Sequence, residues 1–326
     1  MAIRVAGPLM AGVDLGGTKI LAGIVDAENR VLGRAKNSTP AEEGAEAILA
    51  ALVETVRQAT AEAGIAIGDV KGIGVGSPGP LDADRGVILF SANLNVKDFA
   101  IGPDMHAALG PPVLVRNDVR VGGYGEFRLG AGAGKRNVLA AFVGTGIGGC
   151  VIVDGKVLVG STGNAGEIGH ILIKPGGSRC GCGRRGCLEA EASRTAITQR
   201  IRKAVRKGRS SVLGHKVASK NDKLKSKELA AAYHSGDEVT VAEVNRAAYY
   251  LGLGLGSLVN VLGPEVVILG GGVVEALGPD YLNAIVTSAR NQILVDPDHR
   301  IAILPAALGD DAGILGAALM AREAFA

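Results

Sequence analysis

Apolar residues come in short runs at the start of the chain and take on a helical period further along. Residues 9–14 and 20–26 are two apolar runs separated by a glycine-containing turn at 15–19. A turn at 27–30 leads into a third strand-like piece at 31–36. Across 41–64 the apolar positions Ile48, Leu49, Leu52, Val53 and Val56 fall on one face of a helix, and Gly64 supplies its stop. Residues 70–75 and 113–116 read as short buried strands. Strands alternating with helices predict an α/β layer architecture.

The opening pattern recurs. Residues 138–143 are apolar, 144–149 form a glycine turn, 150–154 make a second strand, and Gly155 opens a tight hairpin. Strand, glycine turn, strand thus appears twice, which predicts a duplicated β-β unit with one copy per domain. The chain closes with a helical stretch at 241–262, a strand at 266–269, a glycine turn at 270–272, a helix from about Pro279, a strand at 301–304 and a helix at 311–324.

Composition narrows the class. With 47% hydrophobic and 21% charged residues over 326, the chain has a real core and suits two domains. Glycine, at 50 residues, is in excess and predicts many tight turns and close backbone approaches to a ligand. Aromatics are only 3%, with no Trp, which argues against base-stacking platforms. The net charge of +3 conceals a basic run at 200–227 that carries eleven Lys or Arg and one acid. That run reads as a solvated helix face and a loop rather than a nucleic-acid reading element. Attraction of a polyanionic phosphate substrate is the functional alternative. Near the N-terminus no long apolar stretch precedes a cleavage site. The uncharged run from Ala247 to Pro264 contains four glycines and predicts a buried helix, not a membrane span. The expectation is a cytoplasmic protein without membrane or nucleic-acid partners, in which four cysteines favour a metal site over disulfides.

Four glycine turns follow apolar strands: 15–18, 144–149, 270–272 and 309–313. Such turns present N–H groups to phosphate, and Thr18 and Thr145 add hydroxyls. Neither a Walker A pattern nor a protein-kinase catalytic loop is present.

The segment DLGGTK from Asp14 to Lys19, with GTGIGG opening the second half, resembles the fold of sugar kinases, hsp70 and actin. Within it, GEIGH at 166–170 followed by CGCGRRGCLE at 180–189 resembles the ROK family of repressors, open reading frames and sugar kinases, and most closely its bacterial glucokinases. The likeness runs from Val13 through the closing segment at 308–320. It implies two ribonuclease H-like α/β domains with a cleft between them, one spanning 1–118 plus the helix 311–326 and a larger one spanning 119–310. It also implies ATP-dependent phosphorylation of glucose at the 6-hydroxyl, with Mg²⁺, by a homodimer or homotetramer. By the same resemblance Asp118 is the catalytic base, and Gly76, Asn93, Asn117, Glu167, His170 and Glu189 bind the sugar. The resemblance likewise implies that Asp14, Gly16, Gly17, Thr18, Lys19, Gly144, Thr145, Gly146, Gly271 and Gly272 form the nucleotide site, with Asp14 orienting water on its Mg²⁺.

A metal centre is also readable from the residues themselves. His170, Cys180, Cys182 and Cys187 offer one imidazole and three thiolates, a set that suits a closed, structural Zn²⁺ site. The second ring nitrogen of His170 is then left for a substrate hydroxyl. Three departures from the family pattern stand out: Val119-Arg120 after Asp118, Cys150 where another glycine is common and where it should crowd the phosphate turn, and a basic run at 200–227 more charged than the pattern leads one to expect. Alternatives are a kinase for mannose, fructose or N-acetylmannosamine, polyphosphate as donor, or a non-catalytic sugar-binding regulator. A repressor of the same family needs a helix-turn-helix ahead of the first phosphate turn, and the turn at Leu15 leaves no room for one.

Overall fold

The computed structural model describes residues 7–219, 224–296, 298 and 300–326. Residues 1–6, and Lys220 and Lys223 of the basic run, lie outside the described residues. The chain divides into two units, Met1–Ala133 with Leu308–Ala326, and Gly134–Ala307.

In the first unit, β1 (Leu9–Leu15), β2 (Lys19–Val25) and β3 (Val31–Ser38) precede the helix α1 (Ala45–Glu62) and strand β4 (Val70–Ser77). Next come β5 (Leu81–Asp82), β6 (Val87–Ser91), β7 (Val96–Phe99), α2 (Ile101–Leu109), β8 (Val113–Asn117) and α3 (Asp118–Leu129). The second unit holds β9 (Val138–Val143), β10 (Ile147–Val153), β11 (Lys156–Val157), α4 (Leu188–Ala192) and α5 (Arg194–Arg206). It continues through α6 (Ser226–His234), α7 (Glu238–Leu262), β12 (Val266–Gly270), α8 (Gly272–Arg290) and β13 (Ala302–Pro305). The last helix, α9 (Asp311–Phe325), returns to the first unit.

Both main sheets are five-stranded and share one topology, β3-β2-β1-β4-β8 in the first unit and β11-β10-β9-β12-β13 in the second. In each, three antiparallel strands are followed by two strands parallel to the first. The repeat therefore extends beyond a β-β unit to whole sheets. The face of α1 buried against the first sheet is Ile48, Leu52, Val53 and Val56, as its period predicts.

Much of the glycine excess serves packing. A Cβ at Gly12 would lie 1.9 Å from the Ile314 carbonyl oxygen, and one at Gly74 2.0 Å from that of Ala317. Only bare backbone lets α9 lie this close on β1 and β4. The same helix meets α3 through Gly316, whose Cβ would stand 1.9 Å from the Val121 oxygen. That packing places α3 with the first unit, so the division falls after Ala133 and before Leu308. The expected boundaries, after 118 and after 310, shift accordingly. Glu126 is buried at the end of α3, where it accepts the Leu308 N–H at 2.7 Å and the Ala131 N–H at 3.0 Å.

Three expectations change. The turn after β9 is shorter than 144–149, because β10 already begins at Ile147. Cys150 is accordingly a buried strand residue opposite Ala140 and crowds no turn. Helix α8 begins at Gly272, seven residues before Pro279; Gly278, at φ 71°, kinks it and the proline restarts it. The sheet of β5, β6 and β7 is an addition that the hydrophobic pattern did not reveal. The uncharged run from Ala247 forms the buried half of α7, and no described helix is long and apolar enough to cross a membrane.

Candidate active site

Three neighbouring parallel strands of the first unit end together. Asp14 of β1 pairs in register with Gly76 of β4, and Gly76 and Ser77 pair with Arg116 and Asn117 of β8. Carboxyl ends of parallel strands are where α/β sheets present chemistry. Asn117 caps α3 by accepting the Arg120 N–H at 3.1 Å. Its amide donates to Asp118 Oδ1 at 3.2 Å, and the Val119 N–H donates to the same oxygen at 2.9 Å. A Cβ at Gly76 would sit 3.4 Å from the Asp118 Cα, so the glycine keeps the space beside the carboxylate open. The departure at Val119-Arg120 leaves this arrangement intact, since only backbone N–H groups are used there.

The first hairpin turn lies at the same strand ends. Gly16 N–H donates to the Lys19 carbonyl at 2.9 Å, and the Thr39 hydroxyl donates to the Gly16 carbonyl at 2.7 Å. Thr18 accepts the Thr39 N–H through its carbonyl at 3.2 Å. Gly17 lies against the Asn93 backbone, where a Cβ would stand 3.0 Å from the Asn93 oxygen. Asn93 itself follows β6 on the small sheet. Lys19 Nζ pairs with Asp310 Oδ1 at 2.8 Å. Burial pushes the Asp14 carboxyl above its ordinary 3.8, Lys19 opposes that, and Asp310 adds to it. Gly313 makes room for Asp14, since a Cβ there would be 2.9 Å from the aspartate side chain.

In the second unit, Glu167, His170 and Glu189 gather around β10. The segment 166–170 is pressed onto the strand: Cβ atoms at Gly149 and Gly169 would stand 2.6 and 2.1 Å from the Gly166 and Ile147 oxygens. Glu167 leads into a single 3-10 turn that ends at His170. Glu189 Oε2 accepts the Ile147 N–H at 3.0 Å and lies where a Cβ at Gly146 would be, 2.3 Å away. Its Oε1 is 3.6 Å from Cys180 Sγ. One carboxylate thus links the 144–146 turn to the cysteine loop. Gly271 backs onto Val143, the residue before that turn, where a Cβ would stand 2.7 Å from the Val143 backbone.

The donor atoms of His170, Cys180, Cys182 and Cys187 all lie within 4.8 Å of one another. Sulfurs held tetrahedrally at ~2.3 Å from Zn²⁺ stand about 3.8 Å apart. Cys182 Sγ and Cys187 Sγ are 3.7 Å apart, and Cys180 Sγ is 3.7 Å from His170 Nδ1. Donor set and spacing fit zinc, and Nδ1 is the nitrogen turned to the cluster. Burial raises the Cys180 thiol to about 12 and raises Cys187 as well. The Arg184 N–H and guanidinium bring the exposed Cys182 down to about 6.

Sequence reasoning missed several supporting groups. Glu191 is buried and accepts the Ser178 N–H at 2.7 Å, tying the cysteine loop to α4. Arg194 donates to the Thr145 hydroxyl at 2.7 Å and to Ser226 Oγ at 3.0 Å. Their partners lie 13 to 49 residues away, and local pattern carries no sign of them. A cavity of about 200 Å³ lined by Leu269, Val274, Leu282, Pro305 and Ala306, with Glu275, opens at the ends of β12 and β13.

Several known proteins are similar to this chain over nearly its whole length. The ROK family profile matches residues 10–324. A glucokinase from Thermotoga maritima is 32% identical over 96% of this chain and 97% of its own. A ROK hexokinase from Thermus thermophilus superposes with a TM-score of 0.81 at 38% identity, covering 97% of this chain and 98% of that one. A ROK family glucokinase from Streptomyces griseus, solved with glucose and AMPPNP, gives 0.81 at 36% identity over 97% and 99%. The chain belongs to the ROK family.

Proposed function

We propose that the protein is a glucokinase, which transfers the terminal phosphoryl group of ATP to the 6-hydroxyl of glucose and releases ADP and glucose 6-phosphate. The observation that carries this reading is the cluster at the ends of β1, β4 and β8, where Asp14, Gly76, Asn117 and Asp118 stand side by side. Asp118 accepts the hydroxyl proton as the new oxygen–phosphorus bond forms and the bond from phosphorus to the bridging oxygen of ADP breaks. Its Oδ1 is fixed by the Val119 N–H and the Asn117 amide, so the carboxylate is aimed before the sugar arrives.

Asn93, Asn117, Glu167, His170 and Glu189 bind the sugar hydroxyls. Carboxylates accept, amides do both, and a hexose ring needs both. His170 has Nε2 left for this task when Nδ1 ligates metal. The turns at 16–19 and 144–146, with Gly271 and Gly272, bind phosphate through N–H groups and threonine hydroxyls. The apolar cavity beside β12 takes the base. Asp14 and Asp310, two neighbouring carboxylates of which one is buried, fit a divalent cation, and they would hold Mg²⁺, which would neutralise phosphate charge. His170, Cys180, Cys182 and Cys187 would hold Zn²⁺, which would keep the 168–189 loop in shape.

A coupled assay across glucose, mannose, fructose and N-acetylmannosamine, with ATP and with polyphosphate, tests the reading. The expected result is the highest kcat/KM for glucose with ATP. A higher value for another sugar or donor would reassign the substrate, and no turnover with any pair would favour a sugar-binding regulator.

A further inference from the structure

Arg194 opens α5 and folds its side chain back toward the 144–146 turn. Nη2 donates to Thr145 Oγ1 and Nη1 to Ser226 Oγ, at 2.7 and 3.0 Å. The Arg194 N–H donates to the Gly144 carbonyl at 3.0 Å, and the Thr195 hydroxyl donates to the Thr145 carbonyl at 2.7 Å. Ser226 begins α6 beside Gly272, whose Cβ would stand 3.4 Å from the serine oxygen. Thr145, Gly272, Ser226 and Arg194 therefore form one neighbourhood.

The charge there is uncompensated. Among the described residues no carboxylate forms an ion pair with Arg194, whereas nearby Arg200 pairs with Glu243 at 2.6 Å and Arg246 with Glu191 at 3.5 Å. Arg194 is half-buried, and burial alone acts on it, pulling its pKa down. A partly desolvated guanidinium bonded only to neutral hydroxyls is costly unless an anion comes to it. The hydroxyl geometry points the same way. Because the Thr145 oxygen accepts from the guanidinium, its own proton is free to be donated outward, and Thr145 is exposed.

We propose that Arg194 binds the phosphate chain of the phosphoryl donor, its guanidinium meeting non-bridging phosphate oxygens while it orients the Thr145 hydroxyl toward the same chain. This rests on reading the 144–146 turn as the donor's phosphate cradle. Arg is suited to the role because its planar fork offers five N–H donors, and the two hydroxyls occupy only part of them.

Calorimetry on the full chain tests it with three probes: ADP, inorganic tripolyphosphate and adenosine. Arg194→Gln should weaken ADP and tripolyphosphate about tenfold or more while leaving adenosine within about twofold. Arg194→Lys should recover tripolyphosphate affinity to within about threefold of wild type, because the charge is kept. The KM for the hexose should stay unchanged in both. Wild-type affinity for ADP and tripolyphosphate in Arg194→Gln would overturn the proposal, as would an equal loss for adenosine, which marks a merely structural role. Should Arg194→Gln not fold, Thr145→Val carries the test, with weakened tripolyphosphate expected and wild-type affinity overturning it. A wild-type protein that binds adenosine but neither phosphate probe would remove the cradle reading, and this inference with it.

Discussion

The two five-stranded sheets have the same strand order, yet their first hairpins carry different chemistry. In the first unit the turn after β1 is flanked by carboxylates: Asp14 before it and Asp310, paired to Lys19, beside it. In the second unit the turn after β9 has a guanidinium and two hydroxyls on one side, from Arg194, Ser226 and Thr145. The Glu189 carboxylate there spends an oxygen on the Ile147 N–H. The fifth strands differ as well. β8 runs into Asn117 and Asp118 at the head of a helix, whereas β13 ends at Pro305 and leads to Ala306. A repeated backbone thus supplies two equivalent turns, and side chains arriving from other elements decide what each can hold. An acid-lined turn suits a cation, and a guanidinium-lined turn suits phosphate.

The largest asymmetry is Asp118. Asp118→Asn keeps the shape and the Asn117 and Val119 contacts but cannot take a proton. A positioned base contributes about 10² to 10⁴ in rate, or about 3 to 5.5 kcal/mol of barrier. Turnover should fall by at least ~10²-fold while glucose affinity, measured by calorimetry, stays within a few-fold. Weakened affinity with near-normal turnover at saturation would make Asp118 a sugar-orienting residue and erase this difference between the sheets.

How much of this was legible depends on the range of the interaction involved. The period of α1, the two hairpins and the uncharged half of α7 follow from local alternation, so the pattern gave their place to within a few residues. The cysteine cluster was readable because ligand type and spacing suffice for a metal site. The sequence alone puts the start of α8 late because Gly278-Pro279 reads as a beginning, whereas the helix begins where Gly271 lies on Val143. The glycine excess reads as ligand-binding turns, but Gly12 and Gly74 admit α9, and Gly316 on α9 admits α3. Arg194, Glu191 and Glu126 stayed hidden because each acts on backbone or hydroxyls far along the chain.

The cysteine loop is a second feature that one unit has and the other lacks. Ile168 and Leu188 are its buried apolar side chains, with Ile171 and Ile173 half-buried beside them, so a metal held by the Cys₃His cluster would add much of what fixes the loop. Elemental analysis should find one Zn²⁺ per chain, and Cys182→Ser should lose the metal and melt at least about 5 °C lower. Because Glu189 reaches both Cys180 and Ile147, this variant should also bind ATP more weakly. Metal-free protein with an unchanged Tm would sink the zinc assignment.

Asp14 tests the acidic side of the comparison at a smaller scale. Its folded pKa is raised, chiefly by burial, so at neutral pH the charged form costs stability. Asp14→Asn should therefore melt no lower than wild type, while activity with Mg²⁺ and ATP falls about tenfold or more. The sign fixes the pH dependence. The unfolded chain gives up this proton near 3.8, the folded chain only at higher pH, so wild-type stability declines across that interval. The Tm advantage of Asp14→Asn should grow as pH rises above that value and then level off. An advantage largest at low pH would contradict a carboxyl destabilised by burial.

The smallest effect separates the basic run from Arg194, although both are positive. Lys203 and Arg206 lie on the solvent face of α5 and Lys207 is exposed at its C-terminal cap, while the inward residues Ile197, Ile201 and Arg202 are buried. Arg200 is spent on Glu243 at 2.6 Å, and Lys216 pairs with Glu228 at 2.5 Å. Exposed charges with full hydration act on a distant anion only through a field that salt screens within ~8 Å at physiological ionic strength. Replacing Lys203, Arg206 and Lys207 together with Gln should leave the KM for ATP within about twofold at that salt, with Tm unchanged. If these residues steer the donor, the KM should instead rise severalfold, and the rise should shrink as salt is added. That outcome would move the phosphate-attracting charge from one half-buried guanidinium to a whole helix face, and the contrast between the two turns would lose its weight.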